Sequence, residues 1–145
     1  ARRPFHPERL QAALGRRPRV GALDRVLRLK GVAWLATRHG TQAHADIAGT
    51  QFTVAPGPPW WAATAVEERP AGLKEEIDAL WHEEYGDRQI ELVCIGRELD
   101  QAAVEEALEA CLLTDEEMAG GAARWLALAD PFREADGQGA HEHNH

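Results

Sequence analysis

The strongest constraint on what this chain can fold into lies between Tyr85 and Asp115. There the run Tyr85-Gly-Asp-Arg-Gln-Ile-Glu-Leu-Val-Cys-Ile-Gly96 leads to Leu99-Asp100 and on to Cys111-Leu-Leu-Thr-Asp115. Gly86-Asp87 reads as the end of a helix and a turn. Ile90, Leu92 and Cys94 fall on one side of an extended segment, with Val93 and Ile95 on the other. The spacing therefore predicts a strand that is apolar on both faces and central in its sheet. Asp100 is placed to cap the next helix, whose buried row is Val104, Leu108 and Cys111 or Leu112. Thr114-Asp-Glu-Glu117 is a capping-box pattern opening a last short helix that Gly120-Gly121 closes.

The N-terminal half adds a helix, a hairpin and an aromatic loop. Pro7 suits the first position of a helix running through Leu10 and Leu14 to Gly15. Val20, Leu23, Val26 and Leu27 have helical spacing that stops near Gly31, and Val32-Ala-Trp-Leu-Ala-Thr37 reads as a buried strand. From Gln42 to Ala48 apolar and polar residues alternate, and Gly49-Thr50 turns the chain into Gln51-Phe-Thr-Val54, a hairpin with one wet face. Pro56-Gly-Pro-Pro59 is expected to end it. Trp60-Trp61 follows in a loop. Leu73, Ile77, Leu80 and Trp81 then mark the apolar side of a helix whose other side carries Glu75, Glu76, Asp78 and Glu83. Trp125 to Leu128 form a last apolar patch before Asp130-Pro-Phe132. The expected fold is α+β in two layers: a roughly four-stranded, mainly antiparallel sheet with helices packed on one face. Residues 1–132 form one domain, and 133–145 read as a disordered tail with nothing to pack.

A chain of 145 residues with 44% hydrophobic residues has enough material for one core without disulfides, and its apolar runs are too short to span a membrane. Ala1 at the first position and Met118 as the one methionine imply a piece of something longer. The net charge of -8 conceals a division: residues 1–30 carry nine Arg or Lys against two acids. Aromatic residues are not interleaved with this basic stretch and the body is acidic, so nucleic acid is not expected as a partner. The basic segment is expected to lie on the body's own acidic helix or on a neighbouring domain. Cys94 and Cys111 lack the spacing of a disulfide framework or zinc ribbon and read as buried free thiols of a reducing cytoplasm.

The residue pattern offers little catalytic chemistry. Neither Lys30 nor Lys74 follows a glycine, so there is no phosphate-cradling loop, and the chain contains no serine at all. The carboxylates of the Leu73 helix read as a solvated face. His44 and Asp46, with His39 nearby, read as isolated surface residues, His82 as solvent-exposed and His6 as part of the cap of the first helix. The remaining metal-like feature is His141-Glu-His-Asn-His145. Its three imidazoles, His141, His143 and His145, are candidate ligands for Zn²⁺ or Co²⁺ in a site lost below about pH 6.

The ordered set of motifs resembles the C-terminal domain of the CobW-type GTPases, a family of metal-handling proteins. The pieces are Arg3-Pro-Phe-His-Pro-Glu-Arg-Leu10, Lys30-Gly31, Trp34-Leu-Ala-Thr-Arg38, Trp60-Trp61, Gly86-Asp-Arg-Gln with Glu91-Leu-Val93, Ile95-Gly96, Leu99-Asp100, Cys111-Leu-Leu-Thr-Asp115 and Asp130-Pro-Phe132. The resemblance implies a non-catalytic regulatory domain, cytoplasmic, that contacts its own GTPase domain and a client metalloprotein. GTP, Mg²⁺ and the family's Cys-rich motif would belong to the other domain. Trp60, Trp61 and Arg88 are the candidate partner contacts, although Asp87 and Arg88 also suit a structural role at the turn. Self-association is left open, and the alternative function is a small independent metal-binding protein that uses its histidine tail.

Overall fold

The computed structural model describes residues 2–19 and 21–132; the histidine tail lies outside them. Helix α1 spans Pro7–Leu14, followed by strands β1 (Val26–Ala33), β2 (Thr41–Ala48) and β3 (Gln51–Pro59). Helix α2 (Lys74–Leu80) precedes β4 (Glu91–Gly96), and α3 (Gln101–Glu109), α4 (Asp115–Gly120) and α5 (Ala122–Trp125) complete the chain. The four strands form one antiparallel sheet in the order β3-β2-β1-β4. This is the α+β architecture expected from the sequence.

Burial explains the layering. Ala43, Ala45 and Ile47 of β2 and Leu29 of β1 meet Leu10 and Leu14 of α1, Val104 of α3 and Cys111 in one core on a single side of the sheet. The alternation of apolar and polar residues on β2 dictates that one side, because successive side chains of a strand point to opposite faces. A second, smaller cluster joins Trp34, Ala36, Trp60, Leu113 and Trp125. Phe5 stitches the N-terminus to both halves, its N–H donating to the Trp34 carbonyl and its carbonyl accepting from Ala36.

Three sequence expectations are corrected. Val26 and Leu27 begin β1 instead of continuing a helix; only Gly21–Arg25 makes a 3₁₀ turn. A register shift between Val26 and Arg28 leaves Val26 and Leu29 both facing the core, so a bulged strand produces a three-residue spacing that imitates a helix. The strand then stops at Ala33, and Trp34–Thr37 run on as a buried connection. Pro56-Gly-Pro-Pro59 does not end the hairpin, because β3 is an edge strand whose outer side needs no ladder donors.

The largest correction concerns β4. It is an edge strand, with Val93 64% and Ile95 62% exposed, because no layer among the described residues covers the outer face of the sheet. Only Leu92 and Cys94 pack toward the core. The row on α2 is likewise not buried as a unit: Ile77 is in the interior, while Leu73, Leu80 and Trp81 are exposed. The caps agree with expectation. Asp100 accepts from the Ala103 N–H, and Thr114 and Glu117 form the reciprocal capping box.

Candidate functional site

The candidate partner-contact residues meet at one end of the sheet, where an irregular excursion runs from Trp61 to Arg88. Its closure depends on Asp87. The Asp87 side chain is 5% exposed, and its carboxylate accepts the backbone N–H groups of Trp61 at 3.0 Å and Ala62 at 2.9 Å. This caps the 3₁₀ turn Trp61–Ala63 from a distant point in the chain. Gly86 permits the approach: its φ of 69° favours glycine, and a Cβ there would lie 2.5 Å from the Ala62 methyl.

Three arginines tie the rest of the excursion down. Arg88 donates from Nε to the His39 carbonyl at 2.6 Å and from Nη1 to the Tyr85 carbonyl. Burial lowers its pKa, with the Asp87 charge opposing that effect. Arg2 donates to the carbonyls of Gly86, Arg88 and Leu80, the last at the end of α2. Arg69 donates to the carbonyls of Trp61 and Thr64 and lies over the Trp81 ring at 4.9 Å. Asp87 and Arg88 are thus both engaged with backbone, while Trp61 and Arg88 remain partly exposed and Trp60 is buried at 3%.

Around that frame the surface is apolar and acidic. Val66 is 68% exposed, and Leu80 and Trp81 stand open beside Glu67, Glu68, Glu75, Glu76 and Glu83. Large apolar side chains left exposed among charged ones within one segment are a mark of a protein interaction surface. The sequence pointed to the neighbourhood through Trp60-Trp61. It missed Val66 and Arg69, because an isolated valine and an arginine over an indole carry no periodic signal.

Two arginines of the basic N-terminal segment pair with acids of α4, not with those of α2. Arg9 makes a bidentate pair with Glu117 at 2.6 and 3.0 Å, and Arg3 pairs with Asp115, both acids belonging to α4. Hydrogen bonding from Arg9 is the main reason the Glu117 carboxyl is held down at about pKa 2. Further along, Arg38 and Asp130 form a buried pair that sequence reading did not anticipate, with Thr37 Oγ1 donating to the same carboxylate.

The histidines divide by environment. His39 packs against Trp34 and Trp125, and burial followed by the Arg88 charge pushes its pKa down to about 4, so it is neutral at pH 7. His82 is not simply solvated: its Nδ1 accepts the N–H groups of Glu84 and Tyr85, and the ring stacks on Tyr85. His6 is the N-cap residue of α1 but gives no side-chain capping bond, and it is buried. His44 is exposed on the open sheet face. Among the described residues no group of three or more His, Cys, Asp or Glu side chains converges as a metal site. Cys94 and Cys111 are free, and burial raises both thiols, Cys111 to about 11. At neutral pH they are protonated and poor nucleophiles. No helix among the described residues is long and apolar enough to cross a membrane.

With this geometry in place, comparison with known proteins identifies the class. Residues 1–112 match the family described as "Cobalamin synthesis protein cobW C-terminal domain", and the chain belongs to that family. It is 37% identical over 135 residues to the Zinc-regulated GTPase metalloprotein activator 1 of Dictyostelium discoideum, covering 92% of this chain and 28% of that protein. It is 36% identical over 145 residues to a zinc chaperone of Mycobacterium tuberculosis, covering 98% of this chain and 35% of that protein. The chain therefore spans about a third of the length of these relatives. No solved structure matches it.

Proposed function

We propose that this chain is the regulatory and protein-interaction domain of a zinc-handling GTPase of the cytoplasm, without catalytic activity of its own. Its roles are to contact the GTPase domain and to engage a client metalloprotein. The observation that carries this reading is the apolar, acid-rimmed excursion from Trp61 to Arg88, which is braced by backbone hydrogen bonds to Asp87, Arg69 and Arg88. Such bracing holds exposed Val66, Leu80 and Trp81 in fixed positions, and preorganised apolar side chains lose little freedom on binding. Trp61 and Arg88 form the inner margin of this surface. The relatives named for zinc favour zinc over cobalt as the handled metal.

GTP and Mg²⁺ belong, on this reading, to the part of the parent outside the chain. The purified chain is expected to give no GTP turnover, and hydrolysis that persists through rigorous purification would refute the non-catalytic assignment. Adding the chain in trans to a GTPase fragment of a full-length relative should change that fragment's turnover, and Trp81→Glu should weaken the effect. An unchanged rate would remove the regulatory role.

The tail set His141, His143 and His145 is proposed as an auxiliary zinc site, since imidazole nitrogen is a suitable donor for that ion. Zinc titrations with and without residues 137–145 separate it from the folded body. Equal binding in both would remove the tail from the function.

A further inference from the structure

The two flanks of α3 meet different surroundings. One flank, with Ala107 and Ala110, faces Ala12 and Ala13 of α1. On the other a groove separates α3 from β4. Residues four apart on a helix stand one above another, so Gln101, Glu105 and Glu109 form one row along that wall, with Leu108 set between the row and buried Val104.

The floor of the groove is apolar. Leu92 and Cys94 of β4, with Leu99, Val104 and Leu108, line a cavity of about 400 Å³. A second cavity of about 260 Å³ shares Leu92 and Leu108 with the first and extends it to Ile90, Leu112 and Phe5. The first holds Cys94 and Gln101 and the second Ile90 and Glu109, so the groove follows α3 for the length of its nine residues, about 14 Å at helical rise. Among the described residues the charged side chains that line it are Glu105 and Glu109, and neither belongs to an ion pair.

We propose that this groove seats a basic amphipathic helix of a partner protein. The helix lays its apolar stripe on Leu92, Leu99 and Leu108, and a row of Lys or Arg at the margin of the stripe meets Glu105 and Glu109. The spacing agrees. Four residues on α3 separate the two glutamates by about 6 Å along the axis, which is also the separation of two cations four apart on a helix lying beside it. Side-chain direction selects a helix over a strand: alternate residues of a strand point to opposite faces, so those facing α3 would have to be apolar and cationic at once. A helix carries both kinds on adjoining rows of one side. Charge selects against this chain's own segments. In a second copy α2, with Leu73 and Leu80 exposed at its ends, carries three acids, Glu75, Glu76 and Asp78, against Lys74. Residues 133–145 contain three acids and no apolar residue larger than alanine. The groove shares no residue with the excursion from Trp61 to Arg88, so this inference goes beyond the reading above and stands whether or not the parent hydrolyses GTP.

The test is selection of displayed random peptides of about 16 residues, roughly four helical turns, on the full 145-residue chain. Enriched sequences should place apolar residues at i, i+3 or i+4 and i+7 with Lys or Arg beside them, and amide shifts on binding should map to 90–94 and 101–112. The isotope-labelled peptide should show, when bound, the i to i+3 proton contacts of a helix. Glu105→Lys with Glu109→Lys should weaken the best peptide at least about tenfold, and the same peptide with its Lys and Arg replaced by Glu should recover that loss on the variant. Recovery needs a folded groove, so it separates charge pairing from misfolding. No enrichment, a strictly alternating apolar pattern, an extended bound peptide, shifts confined to 61–88 or to the outer face of the sheet, indifference to the charge exchange, or a loss that the exchanged peptide does not recover would each overturn the proposal.

Discussion

Arg38 and Asp130 are paired at 3.1 Å with side chains only 5% and 4% exposed, which fastens the segment after α5 to the connection after β1. Removing Asp130 takes from the buried Arg38 guanidinium the carboxylate that its Nε donates to. Asp130→Ala should therefore cost about 3–5 kcal/mol, read as a lower urea midpoint with unchanged slope. An apolar double replacement at both positions should recover most of that loss. A loss below about 1 kcal/mol in the single variant would contradict the anchoring role of the pair.

Asp87 predicts a local effect. Asp87→Ala leaves the N–H groups of Trp61 and Ala62 without their acceptor, a cost of about 1–3 kcal/mol. Hydrogen exchange should accelerate at those two amides ahead of the core amides of β1 and β2. Uniform acceleration over the whole domain would contradict a local anchoring role.

Gly31→Ala should loosen β4. A Cβ on Gly31 would overlap the Glu91 carbonyl oxygen and come within 3.0 Å of the Leu92 Cα, both backbone atoms of the paired strand. Backbone cannot swing aside as a flexible side chain does, so about 1–3 kcal/mol is expected in a chemical melt. Gly49→Ala has open space and suffers only from its φ of 60°, and it should cost less.

Two groups set the acid limb of stability. His39 titrates near 6.5 when unfolded and near 4 when folded, so the unfolded chain binds the extra proton first and stability falls as pH drops from about 6.5 toward 4. His39→Gln should flatten that interval. Glu117, held down at about 2 against an ordinary 4.5, stabilises above 4.5 and loses its contribution as pH falls toward 2. Glu117→Gln should remove the lower interval selectively, and thermal melts across pH 2–7 would show whether the two intervals separate as stated.

Much of the fold was legible because its signals are local. Asp100, Thr114 and Glu117 are read as caps from identity and spacing alone, and the structure closes those bonds. The hairpin through Gly49 was equally plain. Val26 and Leu27 misled because they continue the spacing of Leu23, although the 3₁₀ turn ends at Arg25 and both belong to β1. Val93 and Ile95 misled because apolar residues on both faces indicate a central strand only when both faces are covered. Of the candidate partner contacts, Trp60-Trp61 stand where the excursion closed by Asp87 begins, and nothing in the dipeptide tells which indole is buried.

Sequence alone determined the family, the α+β class, the helix caps and the single wet face of the hairpin, since each follows from residue types a few positions apart. Tertiary structure decided that β4 is an edge, that Asp87 closes the excursion from Trp61 and that Arg38 finds Asp130. Those outcomes depend on which distant surfaces meet and which remain uncovered, and spacing along a chain does not encode that.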